Sequence, residues 1–223
     1  MGQDEFGATR SEVAALLPGS FSHTLEIGCA SGDFTRRRLG AASERWGVEP
    51  NAAAADSAAP HFTRMLVGTY DAIADELPDG YFDLVICNDV IEHMPDHDRF
   101  LQDIKRKMKP GGYIVGSIPN IRHFTALVRL LLLKDFKYTD VGIFDRTHLR
   151  FFTFKSLRDS FVRNGYVIER LQGIRSIIRS GILGTSGVKK IAGQAGAAAL
   201  VGLSLGYWSD TQYPQFGFRV RRD

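Results

Sequence analysis

Along the first half of the chain, short apolar runs alternate with polar, breaker-rich turns. His23–Gly28 (HTLEIG), Arg45–Glu49 (RWGVE), Arg64–Val67, Tyr81–Asn88 (YFDLVICN) and Tyr113–Ile118 read as strands. An apolar run such as that in Tyr81–Asn88 suits a parallel strand buried on both faces. Helices are expected between them. Ser11–Leu17 reads as the end of one, stopped by Pro18-Gly19, and Asp33–Leu39 and Asn51–Ala59 as two more, the second with Asn51 as its N-cap. In Asp98–Met108 the apolar positions Phe100, Leu101, Ile104 and Met108 recur near the helical period, and Lys109-Pro110-Gly111-Gly112 supplies breakers. Strands alternating with helices predict a parallel sheet covered on both faces.

The second half is less regular. Phe124–Leu133 reads as a helix with a leucine-rich face, Lys134–Thr153 as a loop-rich insertion, and Phe154–Asn164 as a helix ended by Gly165. Tyr166–Leu171 and Gln215–Val220 read as a final strand pair. Between them, Gly173–Gly206 is rich in Gly and Ala. Its apolar part, Ile191–Leu205, is too short for a clear membrane span and reads as a packed helix.

Charge divides the chain in the same place. Residues 1–111 carry 11 Lys+Arg and 18 Asp+Glu, a net of −7, whereas residues 112–223 carry 17 and 7, a net of +10. A split of this kind points to an acidic partner for the second half. The two cysteines form no CxxC pair, which excludes a disulfide scaffold and a cysteine-rich metal site. Met1–Arg10 lacks the features of an export signal, so a cytoplasmic location is expected, with the inner face of a membrane as a further expectation.

Candidate chemistry starts at Leu25-Glu26-Ile27-Gly28-Cys29-Ala30-Ser31-Gly32, a strand-to-helix turn whose glycines let the backbone approach a ligand. The spacing is E-x-G-x-x-x-G, not the G-x-G-x-x-G of a dinucleotide site. Glu49 ends the next strand, about 20 residues on, where an acid can accept both hydroxyls of a ribose. Cys29 reads as a small buried residue. Together with Phe82-Asp83-Leu84-Val85, Asp89-Val90-Ile91-Glu92-His93 and Leu101…Met108-Lys109-Pro110-Gly111-Gly112, these segments resemble the class I S-adenosylmethionine-dependent methyltransferases over residues 21–120. Ser117–His123 (SIPNIRH) and Gly142–Thr153 (GIFDRTHLRFFT) resemble a bacterial subgroup associated with glycosyltransferases and polysaccharide or sugar modification, and extend the likeness to residue 171.

The resemblance implies an α/β fold: a seven-stranded, mostly parallel Rossmann-like sheet with a reversed last strand, in a single domain over residues 1–223. Residues 121–153 and 173–210 would be insertions covering the acceptor. It implies S-adenosyl-L-methionine as cofactor. Glu26, Gly28, Ala30 and Gly32 would form the loop under its methionine part and ribose, and Glu49 would hold the ribose hydroxyls. Thr69, Tyr70 and Asp71 would lie near the adenine, and Asn88, Asp89 and Val90 would line the cleft under the methyl group. Two departures stand out: Ala30 replaces the family's central glycine, and the acid usual near the adenine falls on Thr69, with Asp71 two residues later.

An activated methyl donor asks mainly for a nucleophile placed in line with it. If that nucleophile is a hydroxyl, a base must take its proton, and histidine suits neutral pH. His148 and His93 are the candidates. Asn120, Arg122, His123, Asp145 and Arg146 are expected on the acceptor side. Glu92-His93 with Asp96 and His97 shows no fixed ligand spacing and reads as a solvated helix entry, so no metal site is expected. The expected reaction is methyl transfer to a hydroxyl of a sugar, nucleotide-sugar or lipid-linked glycan, with the basic residues meeting its phosphate. One alternative is methylation of a small phenolic or quinone-like lipid, with peripheral membrane contact. Another is a non-catalytic module that binds the cofactor or a nucleic acid, although nucleic acid is not the expected partner. The sequence sets no oligomeric state.

Overall fold

The computed structural model describes residues 11–180 and 188–223. Its strands are β1 (His23–Ile27), β2 (Glu44–Glu49), β3 (Arg64–Val67), β4 (Phe82–Asn88), β5 (Met108–Pro119), β6 (Tyr166–Ile174) and β7 (Gln215–Arg222). They form one sheet in the order β3-β2-β1-β4-β5-β7-β6. β1 to β5 pair in parallel, and β7 runs antiparallel between β5 and β6. The strand order reverses between β1 and β4, and a crevice opens at such a point beyond the carboxyl ends of the strands. Helices α1 (Asp33–Arg38), α2 (Ala52–Ala58), α3 (Tyr70–Ile73), α4 (His97–Lys107), α5 (Phe124–Leu127), α6 (Phe154–Arg163), α7 (Ile177–Ser180) and α8 (Val188–Leu203) complete the described chain.

The apolar run of β4 serves two layers. Phe82, Val85 and Cys87 belong to one buried cluster with Leu25, Ile104 and Phe161. Leu84 and Ile86 belong to a second, with Phe34, Leu39 and Val115. Burial of each such side chain stabilises by roughly 1.5–3 kcal/mol.

Two elements differ from the expected ones. The Lys-Pro-Gly-Gly stretch is not a gap between helix and strand. β5 runs through it from Met108, which pairs with Phe82, and an irregularity between Phe82 and Leu84 absorbs the mismatch. The leucine-rich helix is α-helical for one turn, Phe124–Leu127, and then widens into a π-turn over Val128–Leu132. Leu131, Leu132 and Leu133 of this face are exposed.

The insertion 134–153 has no helix and touches itself through the Thr139–Asp145 bridge. It docks on the body through Asn120, which bridges to Phe152, and through the carbonyl of Glu92, which accepts the N–H groups of Leu149 and Arg150 at 2.9 and 3.0 Å. No helix among the described residues is long and apolar enough to cross a membrane. The expectations for Met1–Arg10 and for 181–187 of the segment 173–210 lie outside the described residues.

Candidate active site

β1 ends in a turn with three left-handed residues: Gly28 at φ 63°, Ala30 at φ 47° and Gly32 at φ 75°. At Gly28 a Cβ would meet Val90 Cγ2 at 3.1 Å, so glycine is required by both conformation and space. Ala30 accepts the left-handed conformation despite its Cβ, at a cost of order 1 kcal/mol. Its compensation is visible: its N–H donates to Glu49 Oε2 at 2.8 Å. The other oxygen of Glu49 accepts the N–H of Asn51 at 3.0 Å. Glu49 therefore ties the first turn to the end of β2.

Glu26 has a different task from the one expected. Its buried carboxylate accepts the N–H and hydroxyl of Thr35, at 3.2 and 2.6 Å. It fixes the first helix against β1 from inside and does not line the cavity described next. Cys29 is buried as expected. Burial, then the charges of Glu26 and Glu49, push its thiol up to about 12, which keeps it protonated and inert.

Beyond the ends of β1, β2 and β4 lies a cavity of about 410 Å³. Gly28, Glu49, Thr69, Tyr70, Asp71, Asp89, Val90 and His93 all line it, from five separate segments. Ala30, Gly32 and Asn88 are not in its lining. Tyr70 is pinned because its hydroxyl donates to Asp103 Oδ2 at 2.6 Å. Asp89 follows β4 at φ 55°, and its Oδ1 accepts from Ser117 Oγ at 3.0 Å and from Gln215 Nε2 at 2.8 Å. Pro50, Gly68, Met94 and Pro95 also line the cavity without having been singled out in the sequence. The dipeptide Met94-Pro95 directly after His93 was the available signal.

The rim beyond His93 carries the titratable groups. Glu92 and His93 sit on a single 3₁₀ turn, Ile91–His93, and the insertion brings His148 against them. The rings of His93 and His148 are 4.9 Å apart at 67°. His93 Nδ1 lies 3.0 Å from Thr147 O, and His148 Nδ1 lies 3.0 Å from Ile143 O. A carbonyl can only accept, so both Nδ1 atoms carry the proton, and in the neutral ring the lone pair is on Nε2. Burial holds His148 below the ordinary histidine range, against the opposing pull of its hydrogen bond to Ile143 O. Glu92 is 1% exposed, and neither carboxylate oxygen has a hydrogen-bond partner. Burial and the nearby Asp89 charge hold it well above the ordinary carboxylate range. The expected solvated helix entry is thus corrected: Glu92 is interior, Asp96 alone caps α4 by accepting the Arg99 N–H at 2.9 Å, and His97 packs edge-on against Phe152.

The expected acceptor residues are scattered. Asn120 is fully buried and saturated: its Nδ2 donates to Asp210 O and Tyr213 O, and its Oδ1 accepts from Arg122 N. It is a clip for the insertion. His123 is buried, with Nδ1 2.8 Å from Thr125 Oγ1. Asp145 Oδ1 accepts from the Thr147 N–H and hydroxyl, closing the loop that presents His148. Arg146 pairs with Asp140, not Asp145, at 2.6 Å on the surface. Of these, Arg122 lines a second cavity of about 530 Å³, shared with Phe154, Lys155, Tyr207, Tyr213 and Phe216. Arg122 there pairs with Asp210 at 2.7 Å and lies over the Trp208 ring.

Comparison with known proteins agrees with this geometry. Residues 2–171 match the family described as methyltransferase domain. A ubiquinone biosynthesis O-methyltransferase of Pseudomonas fluorescens is 28% identical over 102 residues, 43% of this chain and 44% of that protein. The chain thus aligns with under half the length of this curated relative. Two solved structures share the fold: an S-adenosylmethionine-dependent methyltransferase of Archaeoglobus fulgidus (TM-score 0.66, 17% identity, 99% of this chain and 97% of that one) and a possible histamine N-methyltransferase of Thermotoga maritima (TM-score 0.63, 20% identity, 98% and 89%). The left-handed turn, the acid at the end of β2 and the enclosed cavity beyond them fit a nucleoside-bearing cofactor. The chain belongs to the S-adenosylmethionine-dependent methyltransferases of class I, with S-adenosyl-L-methionine as its cofactor.

Proposed function

We propose that the chain methylates a hydroxyl oxygen, and that the hydroxyl belongs to a sugar carried on a phosphate-bearing or lipid-linked acceptor. The observation that carries this reading is the lining of the second cavity, which joins four aromatic side chains, Phe154, Tyr207, Tyr213 and Phe216, to Lys155 and Arg122. Asp89 lines the cofactor cavity and accepts from Gln215, whose neighbour Phe216 lines the second cavity. Aromatic faces in that second space suit stacking against sugar rings, and Lys155 and Arg122 suit a phosphate.

Bound cofactor supplies a methyl group already activated by positive sulfur. The chain's part is to orient and to manage one proton. Glu49 holds the ribose hydroxyls and the first turn together. The acceptor oxygen sits at the rim, beside Glu92, His93 and His148, and this cluster assists loss of its proton. The oxygen–carbon bond forms as the carbon–sulfur bond breaks. Orientation of this kind is worth several kcal/mol of barrier.

A second reading is favoured by one specific feature. Leu131–Leu133, Phe136, Leu203, Leu205 and Tyr207 are exposed, with Lys134 and Lys137 among them. Exposed apolar side chains with lysines beside them in the chain suit a lipid surface, and the relative named a ubiquinone biosynthesis O-methyltransferase supports a small phenolic or quinone-like lipid as acceptor.

The test is transfer of labelled methyl from the cofactor to a panel of nucleotide-sugars, lipid-linked sugars and catechol-type lipids. The first reading predicts label on a sugar oxygen; label confined to phenolic lipids would replace it with the second. Label on nitrogen or carbon acceptors alone would refute both.

A further inference from the structure

Glu92, His93 and His148 each offer one ligand atom, and these atoms lie within 4.8 Å of one another. His148 Nε2 is 4.0 Å from Glu92 Oε1. We infer that Glu92, His93 and His148 form a binding site for one divalent first-row transition-metal ion, which holds the acceptor oxygen beside the cofactor cavity.

Three independent features point there. The first is the orphaned carboxylate. A buried acid without any hydrogen bond is costly, and buried charges are found paired or coordinating a metal. Glu92 is 1% exposed, with both oxygens unpartnered. The second is the setting of the two imidazoles. Each donates its Nδ1–H to a backbone carbonyl, Thr147 O for His93 and Ile143 O for His148, both at 3.0 Å. Metal-ligating histidines are oriented in this way by an outer partner on the opposite nitrogen, which fixes the tautomer and leaves the ligating lone pair free. The third is the effort the fold spends on the convergence. The Glu92 carbonyl accepts two N–H groups from the residues right after His148, and Asp145 closes the loop before it. Ligand and insertion are thus latched together.

The donor set decides the class of ion. Two imidazoles and one carboxylate suit Zn²⁺, Mn²⁺, Fe²⁺ or Co²⁺ with open positions, whereas Mg²⁺ and Ca²⁺ take mainly oxygen. With bonds of about 2.1 Å, ligands on one ion sit roughly 3.0–3.5 Å apart, so the cluster closes by about 1 Å on binding. His93 also lines the cofactor cavity, so an ion held by the cluster would border that cavity. A hydroxyl bound there is acidified, as metal-bound water is. Its proton would go to solvent, and the oxygen electron pair would form the bond to the methyl carbon as the carbon–sulfur bond breaks and its electron pair leaves with the sulfur, neutralising the sulfonium. An acceptor with two adjacent oxygens, a vicinal diol or a catechol, could chelate the ion. The role of the ion deepens the proposed oxygen methylation, while its binding stands on the cluster alone.

The test uses the full-length chain, stripped with chelator and checked for folding by circular dichroism. MnCl₂ is titrated alone, with bound ion read by electron paramagnetic resonance and then displaced by ZnCl₂. One Mn²⁺ per chain is expected. Affinity should fall at least tenfold in Glu92→Gln and in His93→Ala and stay unchanged in His97→Ala. Long-range ¹H–¹⁵N spectra should show two Nδ1-protonated imidazoles whose Nε2 resonances shift on adding ZnCl₂. A folded wild-type chain that binds neither ion, or variants that bind as well as wild type, would overturn the site. Calorimetry with S-adenosyl-L-methionine on the same samples separates this from failure of the methyltransferase reading, because cofactor binding does not require the ion.

Discussion

Glu49 at the end of β2 and Glu92 on the 3₁₀ turn after β4 are both buried carboxylates, yet they are treated differently. Glu49 receives two backbone N–H groups, whereas Glu92 receives none. The first is a scaffold that also faces a ligand. Glu49→Ala should therefore weaken cofactor binding at least tenfold, about 1.4 kcal/mol, and loosen the turn around Ala30. The histidines belong to the same scale. His93→Ala and His148→Ala should each lower kcat by about 10²–10⁴; His148, which does not line the cofactor cavity, should leave the cofactor Kd within twofold. A tenfold loss of cofactor affinity in His148→Ala would contradict its placement on the acceptor side. Some of this was legible from residues alone: Gly28, Glu49 and Asp89 lie at the ends of strands, and strand ends follow from local pattern. The partnership of Glu92 with His148 was not legible. It depends on a loop without periodicity folding back across the sheet edge, and no local rule encodes that.

At the level of elements, strands buried on both faces were the easiest to read, because β4 writes its two neighbours into one apolar run. β5 was harder. Pro110 and Gly111 ordinarily break structure, but an irregularity in β4 between Phe82 and Leu84 lets the strand begin before them. The leucine-rich stretch had helical composition, but its last turn is π, a local choice beyond propensity. Helix α6 has the clearest element-level prediction. Thr153 Oγ1 accepts the Ser156 N–H at 3.1 Å, and Ser156 Oγ accepts the Thr153 N–H at 2.9 Å, a reciprocal cap. Thr153→Ala should cost about 1 kcal/mol in urea unfolding. Because Thr153 also borders the second cavity, the acceptor KM should rise with it.

Over the whole molecule, the charge split follows the division of labour. The acidic half builds most of the cofactor cavity, and the basic half builds the insertion and the second cavity. Global stability carries a separate signature in His123. Burial, reinforced by the Arg175 charge, pushes it down to about 4 from an ordinary 6.5. The folded state therefore resists its protonation, and the unfolded chain takes up the proton first. Stability from this group is complete above pH 6.5 and is lost as pH falls toward 4. Between pH 7 and pH 5 the loss is about 2 kcal/mol. Urea unfolding at the two values should show it, and His123→Gln should remove that part of the slope. A wild-type stability that is flat over this range would mean that His123 is solvated.

The account stands most directly on the cavity between β1, β2 and β4 being the cofactor site, tied to the turn through Glu49. Calorimetric titration of the folded chain with S-adenosyl-L-methionine tests it. One site per chain is predicted, with an affinity that drops at least tenfold in Glu49→Ala. A folded wild-type chain that takes up no cofactor, or a Glu49→Ala chain that binds it unchanged, would contradict the account.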